Sequence, residues 1–246
     1  MNELFYFNDD WKKIGVQLSG GADSAILYYA ICNYFKDKSD VEIYPMTLGT
    51  EFKPWYIEGS KKIIDRVTQL TKKEPKKHII RYSDKHKDKE TISEYINQQK
   101  IMIQETVGKY KLQAVYNGLT TNPEENSMLM SIKKFYENND GKFKVAKAHI
   151  LGRDPERNSS THKYNTNLIQ FNERLQIIRP FVHGDKKLIY DVYKYYNMLE
   201  KLYPITYSCE TRHQEHKFET QESHNWDHCG YCFFCCERIY AFGKLA

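Results

Sequence analysis

Hydrophobic and polar positions alternate along the chain with two different periods. Short runs of consecutive apolar residues predict strands that are buried on both faces of a sheet. Longer stretches repeat apolar residues three and four positions apart, which predicts amphipathic helices. The predicted strands are 13–19, 41–48, 78–82, 112–118 and 176–181. The predicted helices, which alternate with these strands, are 23–35, 56–70, 91–108 and 185–199.

This alternation predicts an α/β fold, a Rossmann-like parallel sheet with helices on both faces. We expect residues 1–205 to form one domain and the segment 206–246 to pack on it. A polar insertion at about 120–172 interrupts the alternation, and we expect one helix and one short strand in it. A connection of this length is typical either of a lid or substrate loop or of a floppy insertion. Ligands of such sheets bind outside the carboxyl ends of the strands.

Composition and charge restrict the class of protein. The 246 residues are 40% apolar and 28% charged, which supports a packed core and argues against disorder. The net charge of +5 permits an anionic ligand, but the densest basic run, 71–90, interleaves acids and indicates a solvated face. There is neither an export signal nor an apolar run near the ~20 residues of a membrane helix. We therefore expect a cytoplasmic protein with no membrane association, in which six cysteines indicate metal, catalysis or burial rather than disulfides.

A glycine-rich loop separates the first predicted strand from the first predicted helix, in the stretch "IGVQLSGGADSAILYY". Gly20 and Gly21 can adopt positive φ, and their amides can approach an anion closely. The helix that follows adds free N–H groups and a favourable dipole. Asp23 would repel phosphates, so we expect it to bind Mg²⁺, directly or through water, or else to cap the helix. The predicted phosphate-binding residues are Ser19, Gly20, Gly21, Ala22, Asp23 and Ser24.

Four cysteines near the C-terminus have the spacing C-x19-C-x2-C-x2-C, and they are Cys209, Cys229, Cys232 and Cys235. Thiolates two residues apart can bind one ion from a tight turn, and the fourth would come from a distant loop. We predict a structural zinc site that holds the C-terminal segment against the body. An iron–sulfur cluster would use the same residues, and unrelated buried cysteines are the remaining alternative. Cys236 is a substitute ligand by position, whereas Cys32 lies in the first predicted helix and is expected in the core.

Three stretches carry a resemblance to a known family. "SGGADS" after a strand resembles the SGGxDS signature of the PP-loop ATP pyrophosphatases, which have a HUP-type fold and cleave ATP between the α- and β-phosphates. "HCGYCFFCCERIYAF", preceded by Ser208 and Cys209, resembles the tail of the 7-cyano-7-deazaguanine synthase branch (QueC/ExsB), in which four cysteines bind zinc. "RPFVHGDKKLIYDVYKYYNML" resembles the segment in which a lysine opens a helix, and Lys186 falls on that lysine.

The resemblance implies a ligase. Such an enzyme adenylates a carboxylate on a 7-deazaguanine substrate and then delivers nitrogen, and the pathway is queuosine biosynthesis. It implies ATP, Mg²⁺ and Zn²⁺ as cofactors, with ammonia, free or from a partner, as nitrogen donor. Asp23 and Lys186 would be the catalytic residues, and Gly118 would lie beside the nucleotide. Because they follow strand ends, residues 47–52 and 117–122 are expected to contribute to the adenosine and substrate pockets. In these two regions the chain departs from the YGQ-like and YPDCR-like segments of the family.

Three other functions are compatible with the same residues. A PP-loop tRNA thiolase would share the ATP chemistry and explain the basic charge, but it needs a sulfur-carrying cysteine in the cleft, and 117–125 has none. A sulfonucleotide reductase needs a redox cysteine rather than a metal-saturated cluster. A non-catalytic nucleotide or nucleic-acid binding module would use the fold without turnover. Nucleic acid is a partner only under these alternatives, and a homodimer stays an option.

Overall fold

The computed structural model describes residues 4–50, 55–83, 92–138, 157, 168–170, 175–209, 228, 230 and 232–245. Its strands are β1 (Lys13–Gln17), β2 (Glu42–Gly49), β3 (Ile79–Tyr82), β4 (Ala114–Tyr116), β5 (Leu168–Gln170) and β6 (Gln176–Ile178). Its helices are α1 (Ala22–Tyr34), α2 (Trp55–Thr71), α3 (Ile92–Tyr110), α4 (Glu125–Asn138), α5 (Lys186–Tyr195) and α6 (Phe233–Phe242), with a 3₁₀ turn at Tyr203–Ile205.

The strands form one sheet in the order β3-β2-β1-β4-β6-β5. Strands β3, β2, β1, β4 and β6 are parallel, and β5 pairs with β6 in the antiparallel direction at the edge. The predicted Rossmann-like α/β fold is thereby confirmed. Because the chain proceeds from β1 towards β3 on one side and through β4 to β6 on the other, the strand order reverses between β1 and β4. The crevice of such a sheet lies at this point, outside the carboxyl ends of the two strands.

The helices cover both faces of the sheet, as the sequence pattern predicts. Successive strand residues point to opposite faces, so Ala114 and Tyr116 join the core under α1, α2 and α5. Val115 joins a second core with Met102 of α3. The continuous apolar runs in the sequence therefore reflect burial on both faces. Among the described residues, no helix combines the length and apolar character that a membrane span requires.

The ends of the elements differ from the prediction by a few residues. Strand β4 is shorter than the predicted 112–118, and α5 ends at Tyr195 because a turn with Asn197 at φ 55° follows it. The described part of the insertion holds α4 and the short strand β5, in agreement with the expected helix and strand. Helix α4 packs on α6 through a cluster that includes Met128, Ile132 and Ile239. The insertion and the C-terminal segment thus share a core.

Candidate nucleotide and metal site

The predicted phosphate loop lies between the carboxyl end of β1 and the start of α1. Gly20 has φ +85°, a conformation that side chains disfavour, and Gly21 is the N-cap of α1. A Cβ on Gly20 would lie 3.3 Å from the Cα of Gly59 in α2. Glycine is therefore required at position 20 for two reasons, its backbone conformation and its contact with a second helix.

The two serines of the loop brace it from inside. Ser24 Oγ donates to the carbonyl of Gly21 at 3.1 Å and accepts from the N–H of Ser19 at 3.2 Å. No described residue accepts a hydrogen bond from the backbone N–H groups of the four residues Gly20, Gly21, Ala22 and Asp23. These groups and the positive end of the helix dipole could together bind an anion such as a phosphate.

A chain of hydrogen bonds supports the start of the loop from the neighbouring strands. The hydroxyl of Thr47 in β2 donates to the carbonyl of Leu18 at 2.7 Å. Because its single proton is used there, Thr47 accepts the second bond, 2.8 Å long, from Nε2–H of His78. Burial lowers the pKa of His78 to about 4, so the ring is neutral at pH 7. Sequence reasoning missed this support because it depends on pairing between β2 and β3.

Lys186 reaches the loop from α5. The side chain is buried, and its Nζ donates to Oδ2 of Asp23. Asp185 caps α5 by accepting from the N–H of Lys187 at 2.8 Å, and Tyr193 of the same helix donates to the carbonyl of Ala22 at 2.9 Å. The structure thus brings the two predicted catalytic residues into contact. The other oxygen of Asp23, Oδ1, is buried and accepts no hydrogen bond from any described residue, as a carboxylate that binds Mg²⁺ would leave it.

Two charged residues that sequence reasoning missed complete this cluster. Glu237 of α6 has no exposed surface, and its Oε2 lies 3.7 Å from Nζ of Lys186. Its Oε1 lies 3.0 Å from the guanidinium of Arg157, which also donates to the carbonyl and hydroxyl of Thr120 at 2.9 and 2.8 Å. The charges therefore alternate in sign along the series Arg157, Glu237, Lys186 and Asp23. A carboxylate within the apolar stretch "CFFCCERIYAF" was a signal for Glu237, whereas nothing in the polar insertion distinguished Arg157.

Gly118, predicted to lie beside the nucleotide, packs against the backbone of the first turn of α1. A Cβ there would lie 3.3 Å from both the carbonyl carbon of Asp23 and the nitrogen of Ser24. The preceding residue, Asn117, donates to the side chain of Gln17. The loop after β4 is therefore packed directly on the first turn of α1.

Three of the four predicted metal ligands come together. The Sγ atoms of Cys209, Cys232 and Cys235 all lie within 4.8 Å of one another, and all three residues are buried. Cys229, the fourth predicted ligand, lies outside the described residues. Cys232 is the N-cap of α6, so the positive end of that helix favours thiolates at this position. The cluster can therefore hold a metal.

The three sulfurs, all within 4.8 Å of one another, are close enough to bind a common metal centre. Thiolates in this arrangement suit a zinc ion, and an iron–sulfur cluster would use the same residues. His228 Nδ1 lies 3.6 Å from Sγ of Cys235, and burial lowers the pKa of this histidine to about 3, so its ring is neutral.

The cysteine cluster lies against the phosphate loop. The N–H of Tyr207 donates to the carbonyl of Gly20 at 2.9 Å, two residues before Cys209. A Cβ on Gly21 would lie 3.8 Å from Cβ of Ser208. A metal bound by the cysteines would thus hold the segment that covers one side of the loop.

Comparisons with solved structures find distant structural likenesses, among them a tRNA thiolase and an adenylyltransferase. No family model matches the chain, and no curated protein sequence matches it. The U34-tRNA thiolase NcsA from Methanococcus maripaludis, solved with its 4Fe-4S cluster, has a TM-score of 0.44 and 14% identity, covering 80% of this chain and 61% of that one. FMN adenylyltransferase from Candida glabrata, solved with ATP, has a TM-score of 0.34 and 11% identity, covering 75% and 46%. The chain spans less than two thirds of either structure, and neither likeness identifies a reaction.

Proposed function

We propose that the chain is an ATP-dependent ligase that adenylates a carboxylate on a purine-like, 7-deazaguanine substrate and then transfers nitrogen to it. The observation that carries this proposal is the SGGADS loop, placed at the sheet crevice and facing Lys186, with N–H groups that no described residue accepts. The resemblance of the loop and of the cysteine tail to the 7-cyano-7-deazaguanine synthases supports the choice of substrate.

Each residue of the site has a role in the proposed reaction. The N–H groups of residues 20–23 hold the β- and γ-phosphates as the departing pyrophosphate. Lys186, whose ammonium has three N–H donors, would neutralise phosphate charge while it stays paired with a carboxylate, and Asp23 would hold Mg²⁺, which would supply further charge neutralisation. A carboxylate oxygen of the substrate attacks the α-phosphorus, and the bond to the bridging oxygen of the β-phosphate breaks. Ammonia then displaces AMP from the acyl adenylate and forms an amide.

Positioning and charge neutralisation account for the catalysis of such a reaction, so we expect no proton-shuttling triad. The metal at Cys209, Cys232 and Cys235, proposed to be zinc with Cys229 as fourth ligand, would be structural because four protein ligands leave no open position. Its contribution would be to fix the segment that bonds to Gly20.

The test is an incubation of the protein with ATP, Mg²⁺, ammonium and 7-carboxy-7-deazaguanine. AMP, pyrophosphate and the base are followed by mass spectrometry. We expect AMP and pyrophosphate in equal amounts together with the amide or nitrile of the base. Pyrophosphate release without conversion of the base would reject the substrate, and no pyrophosphate release with any carboxylate would reject the ligase.

A tRNA thiolase is the second candidate, and the contact between Tyr207 and Gly20 favours it, because it places the cysteine cluster beside the loop. In that reaction the centre would act on the substrate instead of serving only as a clamp. Incubation with ATP, sulfide and tRNA, followed by nucleoside analysis, would give a thiolated nucleoside. Binding of tRNA that weakens steeply with salt would support the same candidate. A non-catalytic binding module would release no pyrophosphate in either assay.

A further inference from the structure

The buried carboxylate of Glu237 divides its two oxygens between two cations. Oε1 lies 3.0 Å from Arg157, a hydrogen-bonded ion pair. Oε2 lies 3.7 Å from Nζ of Lys186, within ion-pair range, and it accepts no hydrogen bond from the part of the chain that the structure describes. Burying a carboxylate costs free energy unless both of its oxygens accept hydrogen bonds. Oε2 of Glu237 can therefore accept one more hydrogen bond.

Lys186 lies between two carboxylates and is hydrogen-bonded to Asp23. Its ammonium donates to Oδ2 of Asp23, while Oδ1 is buried and has no hydrogen-bond partner among the described residues. The proposed function places a divalent cation at Asp23. That cation and the ammonium of Lys186 would then compete for the same carboxylate. Two positive charges next to one carboxylate repel each other.

We propose that Glu237 is a positioning residue that receives the ammonium of Lys186 when Asp23 binds a divalent cation with the nucleotide. This inference rests on the proposed function of the loop. A displacement of about 1 Å brings the ammonium from its present distance to the 2.7–2.9 Å of a charge-assisted hydrogen bond. Lys186 stays buried and paired throughout, and Asp23 is released without an uncompensated charge in the site.

Arg157 fixes the acceptor in place. Its guanidinium bonds to Glu237 Oε1 and to the carbonyl and hydroxyl of Thr120, so it is anchored to the loop after β4. With Oε1 held in this way, Oε2 faces Lys186. The insertion, through this one described arginine, therefore contributes to the site by orienting Glu237.

The test measures binding of Mn²⁺ together with α,β-methylene-ATP, a nucleotide that cannot release pyrophosphate, by electron paramagnetic resonance. We expect Glu237→Gln, which keeps the shape but removes the charge, to weaken Mn²⁺ binding about tenfold, since one close charge pair is worth at least that factor. In a Lys186→Met background Asp23 has no competing cation, so Glu237→Gln is expected to have no further effect. Glu200→Gln is the matched control, because Glu200 forms an exposed ion pair with Lys244 at 3.1 Å.

Each outcome decides the question. Unchanged Mn²⁺ binding in Glu237→Gln overturns the proposal, and so does an equal loss with and without Lys186, which would mean that Glu237 acts only as a negative charge. If Glu237→Gln weakens Mn²⁺ binding only when Lys186 is present, but the protein releases no pyrophosphate from ATP, the proposed ligase is rejected and the inference stands. A wild-type protein that binds no Mn²⁺ with the nucleotide overturns both. Circular dichroism melting shows whether the Glu237→Gln variant folds. If it does not fold, Glu237→Asp, which keeps the charge, takes its place and is expected to retain part of the Mn²⁺ affinity. Complete loss of Mn²⁺ affinity in Glu237→Asp overturns the proposal.

Discussion

Two glycines from different elements meet where the chain leaves the sheet. Gly20 of the phosphate loop and Gly59 of α2 approach so closely that a Cβ on either would lie 3.3 Å from the Cα of the other. Gly20 could be predicted from the sequence, because the SGGADS motif that contains it is a short continuous stretch. Gly59 lies inside an amphipathic helix, where glycine is unfavourable, and its reason becomes visible only in the packed structure.

Alanine at position 20 tests this contact. We expect Gly20→Ala to lower the free energy of unfolding by about 1–3 kcal/mol, because φ is positive and Gly59 leaves no room. Gly108→Ala is the control: a Cβ on this exposed glycine of α3 would meet no described atom within 4 Å, and alanine there should add about 0.5–1 kcal/mol. Urea denaturation measures both, and equal effects would contradict the prediction.

His78 makes stability depend on pH. Burial lowers the pKa of the folded ring to about 4, whereas the unfolded chain takes up the proton near pH 6.5. Between these values the unfolded state binds more protons, so the free energy of unfolding falls as the pH falls from 6.5 towards 4. The slope from this group cannot exceed about 1.4 kcal/mol per pH unit, because the ring binds at most one proton. His78→Gln, which keeps a donor for Thr47, should flatten this part of the urea-denaturation profile; an unchanged profile would assign the pH dependence to other groups.

At the scale of elements, the site is a meeting of helix ends and strand ends. The first turn of α1, the loop after β4 and the start of α5 converge through Asp23, Gly118 and Lys186. Periodicity in the sequence located all three elements to within a few residues. It could not pair Glu237 with Arg157, because that contact joins segments 80 residues apart.

Alanine at Gly118 tests how tightly β4 and α1 are joined. The added methyl group would lie 3.3 Å from two backbone atoms of α1, so the first turn must shift by a few tenths of an ångström. We expect a loss of about 1–3 kcal/mol in unfolding free energy and weaker binding of nucleotide, since the N–H groups of that turn form the anion site. Isothermal titration with pyrophosphate measures the binding. Full affinity in the variant would show that the turn tolerates the shift.

Removal of the metal tests whether the cysteine segment supports the loop. Cys235→Ser is expected to lose the bound metal, to melt at lower temperature and to speed hydrogen exchange in both α6 and residues 19–24, because Tyr207 connects the two. Cys32→Ala is the control: Cys32 is fully buried in α1, burial raises the pKa of its thiol to about 12, and metal content should not change. Elemental analysis also identifies the metal, and protein with neither zinc nor iron would reject the site.

At the scale of the whole molecule, the parallel sheet with helices on both faces could be predicted from the sequence, because continuous apolar runs alternate with amphipathic stretches. The strand order became visible only in the structure. Arg157 and Glu237, which pair with each other near the loop, come from the insertion and the C-terminal segment. The pattern of apolar and polar positions predicts the structure of these two regions least well. Their shared core through α4 and α6 depends on side-chain fit, which periodicity does not encode.

Ligand binding should stabilise the entire fold. With Mg²⁺ and α,β-methylene-ATP at about 100 times the dissociation constant, we expect about 2.7 kcal/mol of added stability and a rise in Tm of roughly 5–10 °C for a chain of this size. The nucleotide without Mg²⁺ should raise Tm less. A calorimetric scan that shows no change with either mixture would contradict nucleotide binding.

The position of Glu237 has a consequence for how the protein is made. The loop, Asp23 and Lys186 leave the ribosome before α6, which follows them in the chain and brings Glu237 and Cys235, with Cys232 at its N-cap. A nascent chain that has not yet extended through α6 therefore has the glycine loop and Lys186 but lacks Glu237 and two of the three clustered cysteines. Under the proposed function, translation order would delay the release of Asp23, and with it ATP consumption, until α6 has been synthesised.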